Sequence, residues 1–396
     1  MATIISDNPA IKSVLEKLVT LVTDNGARLH PEIEIVSSNG ELSINSKLDR
    51  QNTDEIIWIP EACLPTVTDF NIKIEGGKLI AEPDTNKVVS KLHISIFDLM
   101  IALYNLTDKI SSHFKTSPSL ALCNAPNIVN HLYKGSLQRL NCDDVNKTAV
   151  STFFASRYLK YGKNNESRYV LMPFLDFLNH HCNSHSYIEG APTDVDNGSI
   201  SALNSKPISS SNETFASYCD GVDSLSTYMS YGFVDIFSPE LRSIPHVIDI
   251  GNIGKISVNR AISNNASPNE TANQIDVRHP KDLHYYFPRI NQLANNTLMV
   301  NSLIIPCNSA PLSLRRILAI LIKLLSPNTG DTDLMKYILH AEERILSINN
   351  AYYDELQVLI NSEPDVNISS DTRETLLLLI QTQKKHLTDY QMRLKN

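Results

Sequence analysis

The chain has 396 residues, of which 42% are hydrophobic and 20% are charged, and its formal net charge is -8 at pH 7. This composition is that of a globular protein with room for two or three domains, and it excludes the disordered and fibrous classes. The net negative charge provides no basic surface that would bind nucleic acid or an anionic membrane, so we expect neither as a partner.

The first part of the chain predicts one helix followed by small strands. Asn8 and Pro9 are a favourable N-cap and first helical residue, and apolar residues then recur at helical spacing until Gly26. Between Glu32 and Pro60 the pattern changes to short β-type runs separated by polar turn residues. This change predicts small antiparallel strands.

The middle of the chain predicts more helices and then a cluster of polar residues. Residues 90–112 and 150–159 carry helical apolar patterns, and a turn is predicted at residues 162–165. An apolar run from Tyr169 then ends at Pro173. Shortly after it stand polar groups of the kind that fix ligands, namely Asp176, Asn179, His180, His181, Cys182 and His185.

The rest of the chain changes from loops and strands to helices. We predict hairpins and loops over residues 188–212, a strand end at residues 215–218, and a short helix from Asp223 or Ser224 to Ser230. After a β-like segment at residues 247–258, helical patterns cover residues 313–325, 332–346, 351–360 and 372–394. Asp371 and Glu374 have the spacing of a capping box for the last helix.

The N-terminus and the cysteines suggest where the protein works. We find no signal peptide and no run of about 18 apolar residues, which predicts a soluble, cytoplasmic protein. A nuclear location or export into another cell stays open. The cysteines lie far apart, as is typical of reduced thiols, at positions Cys63, Cys123, Cys142, Cys182, Cys219 and Cys307.

Two interpretations of the polar cluster follow from residue types alone. His180, His181, Cys182 and His185 could bind zinc, but no second Cys/His pair stands at a complementary spacing, so we expect no metal. Cys182 or Cys219 could be a nucleophile, but neither follows a glycine-flanked turn. A phosphate-binding glycine-rich loop is also missing from the sequence.

A third interpretation comes from two motifs considered together. Pro173, Asp176, Asn179 and His180 form a P-x-x-D-x-x-N-H pattern, and Tyr218 is followed thirteen positions later by Tyr231-Gly232-Phe233. In this order and spacing the chain resembles the SET-domain protein methyltransferases. It is most similar to the subgroup that includes the Rubisco large-subunit lysine methyltransferase and the actin-histidine methyltransferase.

The resemblance implies an α+β fold for nearly the whole chain. It implies a β-rich SET domain of small sheets that starts in residues 1–89, a helical insert over residues 90–168, and the second part of the SET domain over residues 169–240. An all-α C-terminal domain over residues 241–396 would bind the protein substrate. In place of the family's G-x-G loop the chain has only Gly40, within the segment that runs to Ile44.

The resemblance also implies S-adenosylmethionine as the cofactor. Its contacts would come from Leu42, Arg157, Asp176, Asn179, His180, Tyr218, Tyr231 and Phe233. Tyr218 would be the catalytic residue at the point of methyl transfer. The substrate channel would be lined by Leu159, Leu175, Tyr187 and Tyr231.

The acceptor is predicted from the apolar channel. Leu159 and Leu175 stand where the histidine-modifying relative has an amide and an aromatic side chain, which favours the aliphatic stem of a lysine. We therefore expect a monomeric lysine methyltransferase that acts on a basic or lysine-containing protein segment. A histidine acceptor stays open, as does a catalytically weak, SET-derived binding module, because the loop at Gly40 departs from the family pattern.

Overall fold

The computed structural model contains helices and small sheets, which form two compact units. The first unit comprises Met1–Leu120 and Cys142–Asp220, and the second comprises Ala121–Asn141 and Gly221–Asn396. The structure describes residues 2–140, 142–162, 167–190, 198–218, 222–260, 273–274, 277–293, 296–307 and 312–394.

Within these residues the chain forms both helices and strands. The helices are α1 (Pro9–Asp24), α2 (Lys91–Leu106), α3 (Lys109–Thr116), α4 (Pro118–Ala121), α5 (Pro126–Ser136), α6 (Val145–Ala155), α7 (Ser224–Tyr231), α8 (Ser313–Leu325), α9 (Asp331–Ser362) and α10 (Ser370–Arg393). The strands are β1 (Thr3–Ser6), β2 (Arg28–Leu29), β3 (Ile33–Ser38), β4 (Glu41–Ser46), β5 (Glu55–Pro60), β6 (Phe70–Glu75), β7 (Lys78–Pro83), β8 (Tyr158–Tyr161), β9 (Arg168–Leu171), β10 (Asn179–His180), β11 (Ile188–Gly190), β12 (Ser199–Leu203), β13 (Phe215–Ala216), β14 (Glu240–Arg242), β15 (His246–Asp249), β16 (Lys255–Val258), β17 (Asn273–Gln274), β18 (Ile290–Leu293), β19 (Thr297–Val300) and β20 (Ile304–Pro306).

Helix α1 begins and ends where its sequence predicts. The Asn8 side chain accepts hydrogen bonds from the backbone N–H groups of Ala10 and Ile11, at 2.9 and 3.4 Å. The helix buries one apolar face, and the chain leaves it through Gly26, whose φ of +94° suits glycine. The predicted N-terminal helix is confirmed.

Small sheets surround this helix in the first unit. Strand β3 pairs with β1 on one side and with β4 on the other, and a second sheet has the strand order β11-β12-β5-β2. The core of the unit combines residues from α1, α2 and these strands, including Leu15, Ile35, Ile57 and Phe97. The predicted small strands between Glu32 and Pro60 are confirmed.

The two middle helices have other boundaries than their patterns predict: the first is divided in two, and the second, α6, begins earlier, at Val145. The helix expected over residues 90–112 is interrupted at Asp108, which has a φ of +51°, so α2 ends at Leu106 and α3 begins at Lys109. The pattern over residues 150–159 leaves the helix at Ala155, and Tyr158–Tyr161 form β8 instead. These residues pair antiparallel with the next strand of the chain, β9, and this pairing rather than the apolar spacing determines their conformation. Most of the turn predicted at residues 162–165 lies outside the described residues.

The second unit contains both a sheet and helices. We predicted an all-α region from residue 241, and the chain is helical from Ser313 onward. Before it, residues 240–306 include β14 paired with β20 and a sheet of order β15-β16-β19-β18-β17. The β-like segment predicted at residues 247–258 forms β15 and β16, which pair antiparallel, whereas the strands that follow it were not predicted.

The C-terminal helices are confirmed, with two differences in their boundaries. The segments predicted as 332–346 and 351–360 form the single helix α9. The intervening residues stay helical, and the side-chain Nδ2 of Asn349 donates to Ile345 O at 2.7 Å. Helix α10 is capped by Ser369, whose side chain accepts from the Thr372 N–H, rather than by the predicted Asp371 and Glu374 pair. None of the described helices is long and apolar enough to cross a membrane.

Candidate functional site

The P-x-x-D-x-x-N-H motif folds as a tight turn between two strands of the first unit. Strand β9 ends at Leu171, and Phe174 then takes φ +63° and ψ -37°, with Leu175 N donating to Pro173 O at 2.8 Å. This is a γ-turn with positive φ, which is rare and strained for a residue with a side chain. Phe174 is fully buried, so packing of its ring holds the turn.

The turn places this segment beside the distant segment that carries Tyr218. Strands β10 and β13 are parallel, with Asn179 opposite Phe215 and His180 opposite Ala216. The pairing continues beyond the strands, because Ser217 N donates to the carbonyl oxygen of His185 at 2.9 Å. The two segments that carry the sequence motifs thus form one local structure.

Tyr218 is bonded to the motif at both its backbone and its side chain. Its hydroxyl donates to Leu178 O at 2.9 Å, and its backbone N–H donates to Nδ1 of His180 at 3.2 Å. The rings of His180 and Tyr218 lie 5.2 Å apart between centroids. These contacts fix the Tyr218 hydroxyl next to the residue that precedes Asn179.

Asn179 is exposed and is oriented by a carboxylate that the sequence did not single out. Its Nδ2 donates to Oε1 of Glu213 at 2.6 Å. Glu213 forms a bridge with Asn45, and Thr214 N donates to Ile44 O at 2.9 Å. Strand β4, which carries Leu42, therefore runs beside the Tyr218 segment.

Asp176 lies in a largely buried polar cluster below the turn. Its carboxylate accepts from Nη1 of Arg157 at 3.2 Å and from the Tyr104 hydroxyl at 2.8 Å. The exposed fractions of the Asp176 and Arg157 side chains are 6% and 21%. Burial raises the pKa of Asp176, and Arg157 opposes this shift. The pKa of Arg157 is raised. Burial lowers this pKa, but Asp176, Tyr104 and, to a smaller extent, Tyr218 raise it.

Arg157 keeps one donor for a further group. Its Nε is buried and has no hydrogen-bond partner among the residues that the structure describes. The guanidinium stacks over the Phe153 ring at 4.5 Å from the centroid, which fixes its plane. An unsatisfied buried N–H is costly, so this donor fits an anionic group such as a cofactor carboxylate.

The four other site residues predicted in this unit differ in burial: two are buried and two are half-buried. Leu42 is 5% exposed and lies within the β3–β4 hairpin, so its side chain belongs to the core. Leu175 is fully buried, and its carbonyl accepts from the Tyr187 hydroxyl at 3.1 Å. Leu159 is half-buried on β8. Leu175 and Tyr187 therefore contact each other next to the Asp176 turn.

The remaining two predicted residues lie in the second unit. Tyr231 is the last residue of α7, and Gly232, with φ +81°, ends that helix. The rings of Tyr231 and Phe233 lie 6.0 Å apart, and both side chains are half-buried. The predicted N-cap of α7 is Asp223, whose carboxylate accepts from Ser226 N at 3.1 Å.

Two residues that form hydrogen bonds with predicted site residues, Tyr104 and Glu213, were not predicted from the sequence. Tyr104 occurs on an apolar helix face, where its ring predicts packing and its hydroxyl gives no signal of a partner seventy-two positions away. Glu213 stands in a polar loop, five positions before Tyr218. Only its position beside a candidate catalytic tyrosine could have singled it out.

The histidine-rich end of the motif has other contacts in the structure. His181 is 6% exposed, its Nδ1 accepts from Asn183 N at 3.1 Å, and its ring meets the ring of Phe215. Among the described residues, no group of three or more His, Cys, Asp or Glu side chains is arranged to hold a metal ion. Cys219 lies outside the described residues.

Comparisons with known proteins give similarity only at the level of structure. No protein-family profile matches the chain, and no curated protein matches it. A structure of the SET domain of LSMT bound to lysine and AdoHcy is 11% identical, with a TM-score of 0.43, and the similarity covers 97% of this chain and 90% of that one. The same domain bound to methyllysine and AdoHcy is 12% identical, with a TM-score of 0.44, and covers 95% and 90%. Rubisco LSMT bound to AdoMet is 12% identical, with a TM-score of 0.41, and also covers 95% and 90%. We take the function from the geometry of the site.

Proposed function

We propose that this chain is an S-adenosylmethionine-dependent protein methyltransferase whose acceptor is a lysine side chain. The observation that carries the proposal is the pairing of β10 with β13, which brings Asn179 and His180 next to Tyr218. These residues belong to two motifs that are far apart in sequence. Their meeting at one exposed edge is what a methyl-transfer site of this kind needs.

The cofactor would be held by polar groups of the first unit. When bound, S-adenosylmethionine would supply an electrophilic methyl group on a sulfonium, and a neutral amine would attack the methyl carbon in line with the sulfur that leaves. The Arg157 Nε–H is a buried donor that fits its carboxylate, and the exposed Asn179 amide and the half-buried His180 offer further hydrogen bonds. Asp176 holds Arg157 in place rather than contacting the cofactor itself.

Tyr218 would orient the acceptor amine. Its hydroxyl hydrogen is used by Leu178 O, so the phenolic oxygen presents its lone pairs and can accept an N–H of the incoming amine. The amine nitrogen would then direct its own lone pair at the methyl carbon of the cofactor, and the methylated amine would give its extra proton to solvent. The nearby Arg157 charge disfavours a protonated amine.

The case for lysine rests on Leu159, which is half-buried on β8. Leu175 is fully buried in the core and presents no surface to a channel. An apolar wall suits four methylene groups better than an imidazole, which needs hydrogen-bond partners. A substrate segment rich in lysine would also be attracted to a chain of net charge -8. We further propose that the protein acts as a monomer in the cytoplasm. Neither nucleic acid nor a membrane takes part.

Cofactor binding is tested by calorimetry with S-adenosylhomocysteine. We expect saturable binding to the full chain and at least about tenfold weaker binding in Asn179→Ala, since one hydrogen bond to a charged group is worth about 1.5 to 3 kcal/mol. Asn71→Ala, an exposed asparagine on β6, is the matched control and should bind like the original chain. Undetectable binding at millimolar cofactor would remove the basis of the proposal.

Catalysis is tested with labelled S-adenosylmethionine and a cell lysate. We expect label on lysine residues of a protein, and a loss of about 100-fold or more in Tyr218→Phe, the usual range for a positioned polar catalytic group. Tyr169→Phe is the control, because Tyr169 is 40% exposed on the neighbouring β9. Label on histidine would support the alternative acceptor instead.

The tight hairpin at Asn39 and Gly40 favours a second function, a binding module that has lost catalysis. The backbone from Glu41 onward is paired with β3, as in an ordinary hairpin, where the resemblance implies a glycine-rich cofactor loop. This alternative predicts that no labelled methyl appears on any protein. Methyl transfer that depends on Asn179 would exclude it.

A further inference from the structure

A cavity of the second unit is lined by basic and imidazole side chains. It has a volume of about 660 Å³, and its walls are formed by Val277, Arg278, His279, Lys281 and His284. No acidic residue lines it among the described residues. The cavity is wide open to solvent, and its basic lining is unusual for a chain of net charge -8.

The cations of this cavity are available to a ligand. Neither Arg278 nor Lys281 forms an ion pair within the part of the chain that the structure describes, and both are exposed. Asp282 is the acidic residue next to Lys281, and its carboxylate accepts from Nη2 of Arg316 at 3.3 Å. The carboxylate next to Lys281 is therefore already engaged by an arginine.

Two histidines of the cavity form a hydrogen-bonded pair. His279 Nδ1 lies 3.0 Å from Val277 O, and His279 Nε2 lies 3.3 Å from His284 Nδ1. The His279 ring stacks on Phe287, with centroids 4.1 Å apart and an interplanar angle of 5°. The stacking and the carbonyl contact fix the orientation of His279.

These contacts assign the protons of the neutral pair. A carbonyl oxygen only accepts, so Nδ1 of His279 carries a hydrogen and its Nε2 is an acceptor. Nδ1 of His284 must then be the donor in the bond between the rings. His284 Nε2 is the nitrogen of the pair that neither of these two hydrogen bonds uses.

We propose that this cavity binds a phosphomonoester or inorganic phosphate. A phosphomonoester near neutral pH carries close to two negative charges, since its second pKa is about 6. Arg278 and Lys281 match that charge, and the two histidines line the same cavity. The room beyond a phosphate accommodates the organic part of a small ester or the end of a lipid headgroup. The site is separate from the proposed methyl transfer, and its test does not depend on that activity.

The test is calorimetry on the full chain with inorganic phosphate. We expect one saturable site. Arg278→Met and Lys281→Met should each weaken binding by about tenfold. His284→Gln should retain binding that is weaker than that of the original chain.

Matched controls and two further probes complete the experiment. Lys336→Met and His340→Gln change exposed residues of α9 and should leave binding unaltered. Glycerol 3-phosphate and vesicles containing phosphatidic acid separate a soluble ester from a lipid headgroup, with phosphatidylcholine vesicles as the blank. Absence of binding to all three phosphate probes would overturn the proposal. So would binding that Arg278→Met and Lys281→Met leave unchanged.

Discussion

Asp176 holds the candidate site together through its contacts with Arg157 and Tyr104. A buried carboxylate is stable only with such partners, because water is excluded from it. The two partners come from α2 and from the segment after α6, so the carboxylate links three parts of the first unit. Its role is positional, and it determines where the Arg157 Nε–H lies.

Asp176→Asn should destabilise the protein by about 3 kcal/mol, because it leaves the Arg157 charge buried without its partner. Tyr104→Phe alone should cost about 1 kcal/mol, and the double variant should cost less than the sum, since both changes remove one hydrogen bond. Urea unfolding measures all three. Asp69→Asn removes an exposed pair with Lys87 and is the control, with an expected cost of below about 1 kcal/mol. Strict additivity would contradict the shared cluster.

Glu240 makes stability depend on pH near neutrality. Burial raises its pKa to about 7 from an ordinary value of 4.5, and Tyr285 donates to its Oε1 at 3.0 Å. The folded protein therefore keeps a proton that the unfolded chain has already lost. This contribution to stability is present in full below pH 4.5 and is lost as the pH rises through about 7.

In Glu240→Gln this pH dependence should disappear. Between about pH 5 and about pH 8 the original chain should lose roughly 3 kcal/mol that the variant retains. Guanidinium unfolding at several pH values gives the two curves, and Glu343→Gln, an exposed glutamate of α9, serves as the control. Parallel curves for Glu240→Gln and the original chain would show that Glu240 titrates normally.

The turn of the β3–β4 hairpin is determined by its local sequence. Asn39 and Gly40 have φ values of +52° and +79°, as a two-residue hairpin turn requires, and the Asn-Gly pair is the favoured sequence for it. Gly40 has a second constraint. A Cβ at that position would lie 3.2 Å from the carbonyl oxygen of Thr107.

Gly40→Ala should cost about 1 to 2 kcal/mol, since it adds a strained φ and a close contact with backbone. Gly76→Ala is the matched control, because Gly76 also has positive φ, at +57°, but open space around its Cβ direction. Thermal unfolding of both variants separates the two effects. An equal loss in both would show that the approach to Thr107 adds nothing.

The elements that sequence predicted well are those whose signals are local. The cap at Asn8 and the long apolar stripes of α8 and α10 involve residues within a few positions of each other, and these helices lie where expected. The end of α6 and the start of β8 depend on hairpin pairing with the next strand, β9, which the helical spacing of the apolar residues does not reveal. The strained turn at Phe174 likewise depends on packing of its ring.

Each of the two units has its own hydrophobic core at the scale of the whole molecule. Leu18 is fully buried in the core of the first unit, and Leu318 is fully buried in the core of the second. A leucine removed from either core loses transfer free energy and leaves a cavity. The damage should therefore be greatest in the unit that carries the change.

Leu18→Ala and Leu318→Ala should each destabilise by about 2 to 5 kcal/mol. Amide hydrogen exchange should show the largest loss of protection, about 100-fold or more, in the unit of the substituted leucine. Leu378→Ala is a control, because Leu378 is 42% exposed on α10. A loss centred on the opposite unit in either variant would contradict the division into two cores.

The sequence by itself determined the class of fold, most helices and the two motifs of the proposed methyl-transfer site, because periodicity, caps and motif spacing are properties of neighbouring residues. Only the tertiary structure decided which side chains meet. The partnership of Asp176 with Tyr104, the carboxylate of Glu213 on Asn179, and the stacked histidines of the basic cavity join residues through pairing and packing. Contacts between distant segments have no fixed spacing in sequence, so no local pattern could have predicted them.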